Sequence, residues 1–168
     1  MSRVILNTST FDLRSVPVES STFTAGWLAG QGGAYDSTGV FVQVASGSNA
    51  MGVLMESTQY PWNYQQGVVT TPTGSMVTLI SGTGRLTIDH TDEVAAGSSV
   101  RAYNTGSYGP ENGAPNDDLW FDANGMFTTQ AAVASASVGT GSVAYPPFAK
   151  MIGVPGASNN YQLTVELR

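Results

Sequence analysis

The run Asp89-His90-Thr91-Asp92-Glu93 gathers the single histidine of the chain and three carboxylates into five residues. An imidazole beside carboxylates suits a metal centre, or a base oriented by an acid. Two features argue against both readings. Consecutive strand residues point to opposite faces, so sequence neighbours do not converge on one ligand. Zinc would also want a second histidine or a cysteine, and the chain has neither. The segment reads as a solvated turn that follows a strand over 85–89.

Asp117, Asp118, Asp122 and Asn124 offer hard oxygen ligands of the kind calcium takes, but without the glycine and distal glutamate of an EF-hand loop. The plainer reading is a strand flanked by turn-forming side chains. Glu19, Glu56, Asp89 and Asp122 would be the candidates for the carboxylate pair of a glycosidase. Any acidic β protein offers such pairs. A Gly-x-Ser-x-Gly elbow, a Gly-x-Gly-x-x-Gly turn and a phosphate loop are all missing. The expectation is a protein with no catalytic residues, no metal and no cofactor. Binding is better represented. Tyr60, Trp62 and Tyr64 crowd into a proline-containing stretch, and rigid aromatics with polar tips are favoured at interfaces and in sugar sites. Arg3 and Arg14 are candidate partners for acidic groups on a neighbour. The competing reading of the aromatics is a loop tucked over the end of the core.

Composition narrows the classes further. The 168 residues suffice for one domain with a real core. Charged residues make up only 11%, against about 25% in ordinary soluble domains. Gly, Ser and Thr fill much of the rest. Such a surface loses little when it is desolvated against a neighbour, so it suits an assembly. The net charge is -6 and the six Lys and Arg are scattered, which argues against direct contact with nucleic acid. There is no cysteine, hence no disulfide. The first residues lack the apolar run of a signal peptide, and no stretch reaches the roughly 20 apolar residues of a membrane helix. The expectation is a protein made in a cytoplasm, and the sequon at Asn7 is read as chance.

The elements that must position these groups are strands. Tyr161 to Leu167 alternates apolar and polar residues, as a half-buried strand does. Leu86 and Ile88 would face the core, with Arg85, Thr87 and Asp89 outward. Met76–Ile80 and Arg85–Asp89 around Ser81-Gly-Thr-Gly84 read as a hairpin. So do Val40–Val44 with Ala50–Met55, and Leu119–Asp122 with Met126–Thr129 around Asn124-Gly125. Shorter candidates are Val4–Leu6, Thr22–Leu28 and Val100–Tyr103. Segment 104–118 reads as a long loop, and 131–142 as one helical turn or a loop. Ser15-Val16-Pro17 argues against a central strand near the N-terminus. About ten short strands with frequent turns predict an all-β fold: a single compact β-sandwich or β-barrel-like domain with long loops over 21–168, preceded by an N-terminal arm or edge strand over 1–20.

The C-terminal part carries a resemblance. Val94-Ala-Ala-Gly97-Ser-Ser-Val100-Arg-Ala-Tyr103, Leu119-Trp-Phe-Asp122-x-x-Gly125-Met-Phe-Thr, Ala149-Lys150-Met-Ile-Gly153-Val and Leu163-Thr-Val-Glu-Leu167 follow one another as in small structural proteins of tailed bacteriophages. Over roughly 67–168 the chain resembles the capsid decoration, or cement, proteins. Each motif is a strand with its turn. The resemblance implies a mainly β homotrimer on the capsid exterior, holding the major capsid protein of an expanded icosahedral head, without catalytic residues. The alternatives are another virion component (head fibre, tail or adsorption protein) and a carbohydrate-binding β-sandwich module.

Overall fold

The computed structural model describes residues 3–8, 10–17, 28–35, 41–43, 50–55, 76–122, 124–130, 135–138, 141–144 and 146–168. The readings that rest on Glu19, on 21–27, on Val40 and Val44, and on Glu56, Tyr60, Trp62 and Tyr64 lie outside these residues.

Two open antiparallel sheets carry the fold, so the sandwich expectation holds and the barrel alternative does not. One sheet has six strands in the order β1 (Arg3–Leu6), β7 (Gly84–Asp89), β13 (Leu163–Leu167), β12 (Ala149–Gly153), β8 (Asp118–Phe121) and β9 (Phe127–Thr128). The other has five, in the order β2 (Phe11–Pro17), β6 (Met76–Gly82), β5 (Gly52–Leu54), β3 (Gly32–Tyr35) and β4 (Phe41–Gln43). A separate hairpin joins β10 (Ser135–Val138) and β11 (Gly141–Ala144), where a helical turn or loop was expected. Its Ser and Val residues favour extended backbone more than the alanines favour helix. Among the described residues the one α-helix, α1, is the short turn Thr91–Ala95.

β6 and β7 do not form the expected hairpin. β6 pairs with β2 and β5 in one sheet, and β7 pairs with β1 and β13 in the other. The glycines at the joint make a corner rather than a reversal: Gly82 has φ +88° and Gly84 has φ +154°. The N-terminal ribbon follows the same corner. Its β1 lies along β7 and its β2 along β6, both antiparallel. Where the two chains turn, the Asn7 amide donates to the Arg85 carbonyl at 2.9 Å and the Arg85 amide to Thr8 Oγ1 at 2.7 Å. Likewise β4 pairs with β3 and not with β5, so β4 and β5 are not hairpin partners but flank β3 on either side.

The β8–β9 hairpin forms as its Asn-Gly turn predicts, with Trp120 opposite Thr128 and Phe121 opposite Phe127. β13 alternates as expected, Leu163, Val165 and Leu167 being buried and Glu166 exposed, although the strand begins at Leu163 because Tyr161 takes φ +57°. The core gathers Val4, Leu86, Ile88, Leu119, Phe121, Phe127, Met151, Leu163 and Val165 from the larger sheet against Val53 and Ile80 from the smaller one. Val100–Tyr103 gives no strand, only a bridge from Tyr103 to Phe127.

Three glycines let the sheets approach. A Cβ on Gly30 would lie 2.7 Å from the Ile88 side chain, and one on Gly32 2.7 Å from the Phe121 ring. A Cβ on Gly125 would lie 2.7 Å from the Gly32 carbonyl oxygen, and the Gly32 amide donates to the Gly125 carbonyl at 2.7 Å. Gln31 locks the joint: its side chain accepts from the Leu28 amide at 2.6 Å and donates to the Asn124 carbonyl at 3.0 Å. Gly97 shares the φ of +71° of Gly125, yet a Cβ there meets nothing within 4 Å. Gly97→Ala is therefore expected to cost only the left-handed backbone penalty of about 1–2 kcal/mol. Gly125→Ala adds a backbone clash and is expected to cost at least about 2 kcal/mol more than that. Urea unfolding of the two variants side by side checks the difference.

Candidate functional site

β7 carries Asp89 to the end of the larger sheet and α1 starts directly after it, so His90 caps the strand from inside. The expected solvated turn is not what forms: Asp89 is 2% exposed and His90 fully buried. His90 Nδ1 lies 3.1 Å from the Tyr161 carbonyl, and Nε2 accepts the Ala102 amide at 3.0 Å. An imidazole that accepts at Nε2 must carry its proton on Nδ1, which here donates to Tyr161. The neutral tautomer is thus fixed by two backbone groups, and neither nitrogen is left to bind a metal or take a proton from a substrate. The Tyr103 ring stands edge-on to the imidazole with centroids 5.3 Å apart, and its hydroxyl also donates to the Tyr161 carbonyl, at 3.3 Å. Burial, with Glu111 beside it, pushes the Tyr103 phenol far up against a smaller opposing effect of Arg101, so it stays protonated.

Asp89 faces away from this imidazole. Its Oδ1 accepts from the Thr91 amide at 3.0 Å, from the Thr91 hydroxyl at 2.5 Å and from Gln162 Nε2 at 3.1 Å. Its Oδ2 accepts from Arg3 Nε at 2.8 Å. Thr87, also expected outside, is covered by the same ladder of polar pairs across β1, β7 and β13, through Asn7 at 3.0 Å and Thr164 at 3.0 Å. The outer face of a central strand can be shielded by its neighbours' side chains, and the alternation of β7 carries no sign of that.

The oxygen-rich stretch resolves into separate local turns. Asp122 Oδ1 accepts the Asn124 and Met126 amides at 2.8 and 3.0 Å, and its Oδ2 accepts Asn104 Nδ2 at 3.0 Å. Asp117 closes its own turn on the Ala114 amide at 2.8 Å. Asp118 faces Arg168 at 3.3 Å on the surface. Among the described residues no three His, Cys, Asp or Glu side chains are grouped as a metal ion would need. Arg101, which the sequence leaves unremarked, is buried as well. Its guanidinium donates to the Ser98 and Val100 carbonyls, each at 2.8 Å, and lies 4.6 Å from the Tyr161 ring centroid.

Among the described residues the N-terminal edge offers one surface for contact with another molecule. β1 and β2 are outermost strands of the two sheets, so the corner they share runs along one side of the sandwich. Ile5 is 42% and Leu13 48% exposed. Leu6, Asn7, Thr8, Phe11 and Leu13 line a shallow depression of about 450 Å³ there. The two arginines expected to meet a neighbour differ in place. Both side chains are about equally exposed, but Arg3, on β1, is held by Asp89 of the neighbouring strand, while Arg14, on β2, pairs with Asp12 of its own strand at 2.6 Å. The structure does not bring Arg3 and Arg14 together, since they stand on strands of different sheets. Among the described residues no helix is long and apolar enough to cross a membrane. No family model matches this chain, and neither the curated proteins nor the solved structures contain a match to it.

The Asp89 cluster sets a pH dependence. Burial alone would raise this carboxyl, but the hydrogen bonds from Thr91, Arg3 and Gln162 outweigh it and hold it at about 2, below its ordinary 3.8. A folded-state value below the unfolded one means the stabilisation is complete above about pH 4 and drains away as pH falls toward 2. Its size is about 2 kcal/mol. Urea unfolding of wild type and Asp89→Asn is expected to show the variant less stable by that order at pH 7, with the gap closing by pH 2.

Proposed function

We propose that the chain is a capsid decoration protein: a homotrimer that binds the outside of an expanded icosahedral phage head and holds neighbouring major-capsid subunits together, with no catalytic role. The observation that carries this reading is the scarcity of charge, 11% of residues, on a protein built as two open sheets. A surface of hydroxyls and small residues can be buried over a large area at little desolvation cost, and several modest contacts per trimer then add up through avidity. The placement of the polar side chains supports the same reading. His90, Asp89, Gln31 and Asp122 are spent on holding the fold, through the bonds described above, and two of the exposed apolar groups, Ile5 and Leu13, lie on the outermost strands β1 and β2. Three of the four segments that carry the resemblance to decoration proteins also belong together in space, as the adjacent strands β9, β8, β12 and β13.

Co-sedimentation with expanded capsids that lack the protein tests this directly. The expected result is saturable pelleting at a fixed ratio to the major capsid protein. Folded protein that stays wholly in the supernatant at every capsid concentration overturns the reading.

A further inference from the structure

β2 is the outermost strand of the five-stranded sheet. It pairs with β6 over its whole length, Phe11–Pro17, and among the described residues no strand lies on its other side. An edge of this kind presents a row of backbone donors and acceptors to any strand that arrives. The side chains sharpen the question. Leu13 stands opposite Ile80 and therefore on the face that carries the core, yet Ile80 is fully buried and Leu13 is 48% exposed. Leu13 overhangs the core at the rim of the depression it shares with Phe11, Leu6, Asn7 and Thr8. On the opposite face of the strand, Asp12 and Arg14 are 51% and 63% exposed.

We propose that this edge is a self-association surface, on which a second copy of the chain lays its own β2 antiparallel about a two-fold axis through Leu13. The order Asp12-Leu13-Arg14 is self-complementary under that operation. Each residue meets the one equally far on the other side of Leu13, so Asp12 faces the partner's Arg14 and Arg14 the partner's Asp12. Phe11 faces the partner's Ser15, and the two Leu13 side chains cover each other beside the depressions. Opposed side chains on one face lie close enough to pair, and opposite charges there stabilise while like charges repel. A two-fold perpendicular to the sheet keeps each face on its own side, so it must pass through a residue. Passing through Asp12 or Arg14 it would set like charges against each other, and passing through Phe11 or Ser15 it would leave both charges without an opposite partner, so Leu13 is the register that pairs every charge. The Asp12–Arg14 pair within each strand does not oppose this, since four alternating charges then share one face. Two sheets joined in this way make one continuous sheet across both copies.

The pairing needs no capsid, so it stands or falls separately from the decoration reading. If copies also trimerise through another surface, β2 joins the trimers in pairs. Sedimentation velocity at about 100 μM would populate a contact with a Kd of about 10 μM, and a two-fold species, dimer or paired trimers, is expected. Asp12→Arg and Arg14→Asp each set two like pairs in place of two opposite ones and should weaken it by about tenfold or more. The double swap Asp12→Arg with Arg14→Asp restores the complementarity and should restore association, which a merely misfolded variant cannot do. Because the chain has no cysteine, register is read by oxidation. Leu13→Cys places two sulfurs on residues whose Cα atoms face each other at about 5 Å, within disulfide reach. Ser15→Cys leaves the pair roughly 13 Å apart along the strands. Fast cross-linking at 13 but not at 15 supports the two-fold. A wild type that is solely monomeric or solely trimeric, association indifferent to both charge reversals, or equal cross-linking at 13 and 15 overturns it.

Discussion

Everything in this molecule depends on a corner. The chain passes from the smaller sheet to the larger one between Gly82 and Gly84, and a side chain at either position would strain a backbone at φ +88° or +154°. A Cβ on Gly84 would also meet the Phe11 ring at 2.8 Å and Thr8 Oγ1 at 2.9 Å. Because the corner is tight, one continuous strand delivers Ile80 to the core from one sheet and Leu86 and Ile88 from the other. Because β1 and β2 turn beside it, the N-terminus is bonded along both sheets at once, from Arg3 opposite Asp89 to Pro17 opposite Met76. That ribbon is the reason an exposed edge exists where it does, with Arg3 fastened over Asp89 on one strand and Arg14 paired with Asp12 on the other.

The strands were legible in the sequence because their period is written in residue types. Leu163, Val165 and Leu167 inside with Glu166 outside, Leu86 and Ile88 inside, and the Asn124-Gly125 turn between two aromatic strands all emerge from pattern alone. Pairing was not legible in the same way. Ser81-Gly82-Thr83-Gly84 has the glycines of a hairpin loop, but glycine supplies positive φ to a corner as readily as to a reversal. Whether the strands fold back or part is decided by what lies beside them, here the N-terminal ribbon some 70 residues earlier in the chain. The same is true of β4 and β5, which a short Gly/Ser/Asn connection would have paired and which β3 separates.

The polar clusters were visible as clusters and misread as surface. Nothing local distinguishes a solvated Asp89-His90-Thr91 from a buried one, because most of the groups that cover it come from far along the chain: Arg3, Tyr161 and Gln162. Burial of such groups is tolerable only when each donor and acceptor finds its partner, and a partner 70 or 80 residues away leaves no periodic trace. Arg101 is buried with only part of its guanidinium satisfied: it lies against an aromatic ring and donates to two carbonyls, while its Nε finds no acceptor. The edge itself had a signal that was there to be read, an apolar residue flanked by opposite charges at 12 and 14, but alternation of that kind is only meaningful once the strand is known to be outermost.

Scarcity of charge and burial of polar groups then turn out to be one property seen twice. With only six Lys and Arg in the chain, burying Arg101 and pairing Arg3 with the buried Asp89 leaves few unengaged cations for the surface. An edge strand in a soluble protein is commonly guarded by lysine, by inward charge or by proline, so that strangers do not add to it. β2 carries its proline only at its last residue and offers at its centre one cation and one anion set symmetrically about an exposed leucine, which repels nothing that carries the same sequence in the opposite direction. A protein whose surface is otherwise poor in repulsive charge needs its contacts specified by geometry, because electrostatics cannot exclude wrong neighbours over most of its area. On this chain the place where charge and geometry coincide is the edge that the glycine corner holds outward, so the constraint that builds the core also fixes where a neighbour can be recognised.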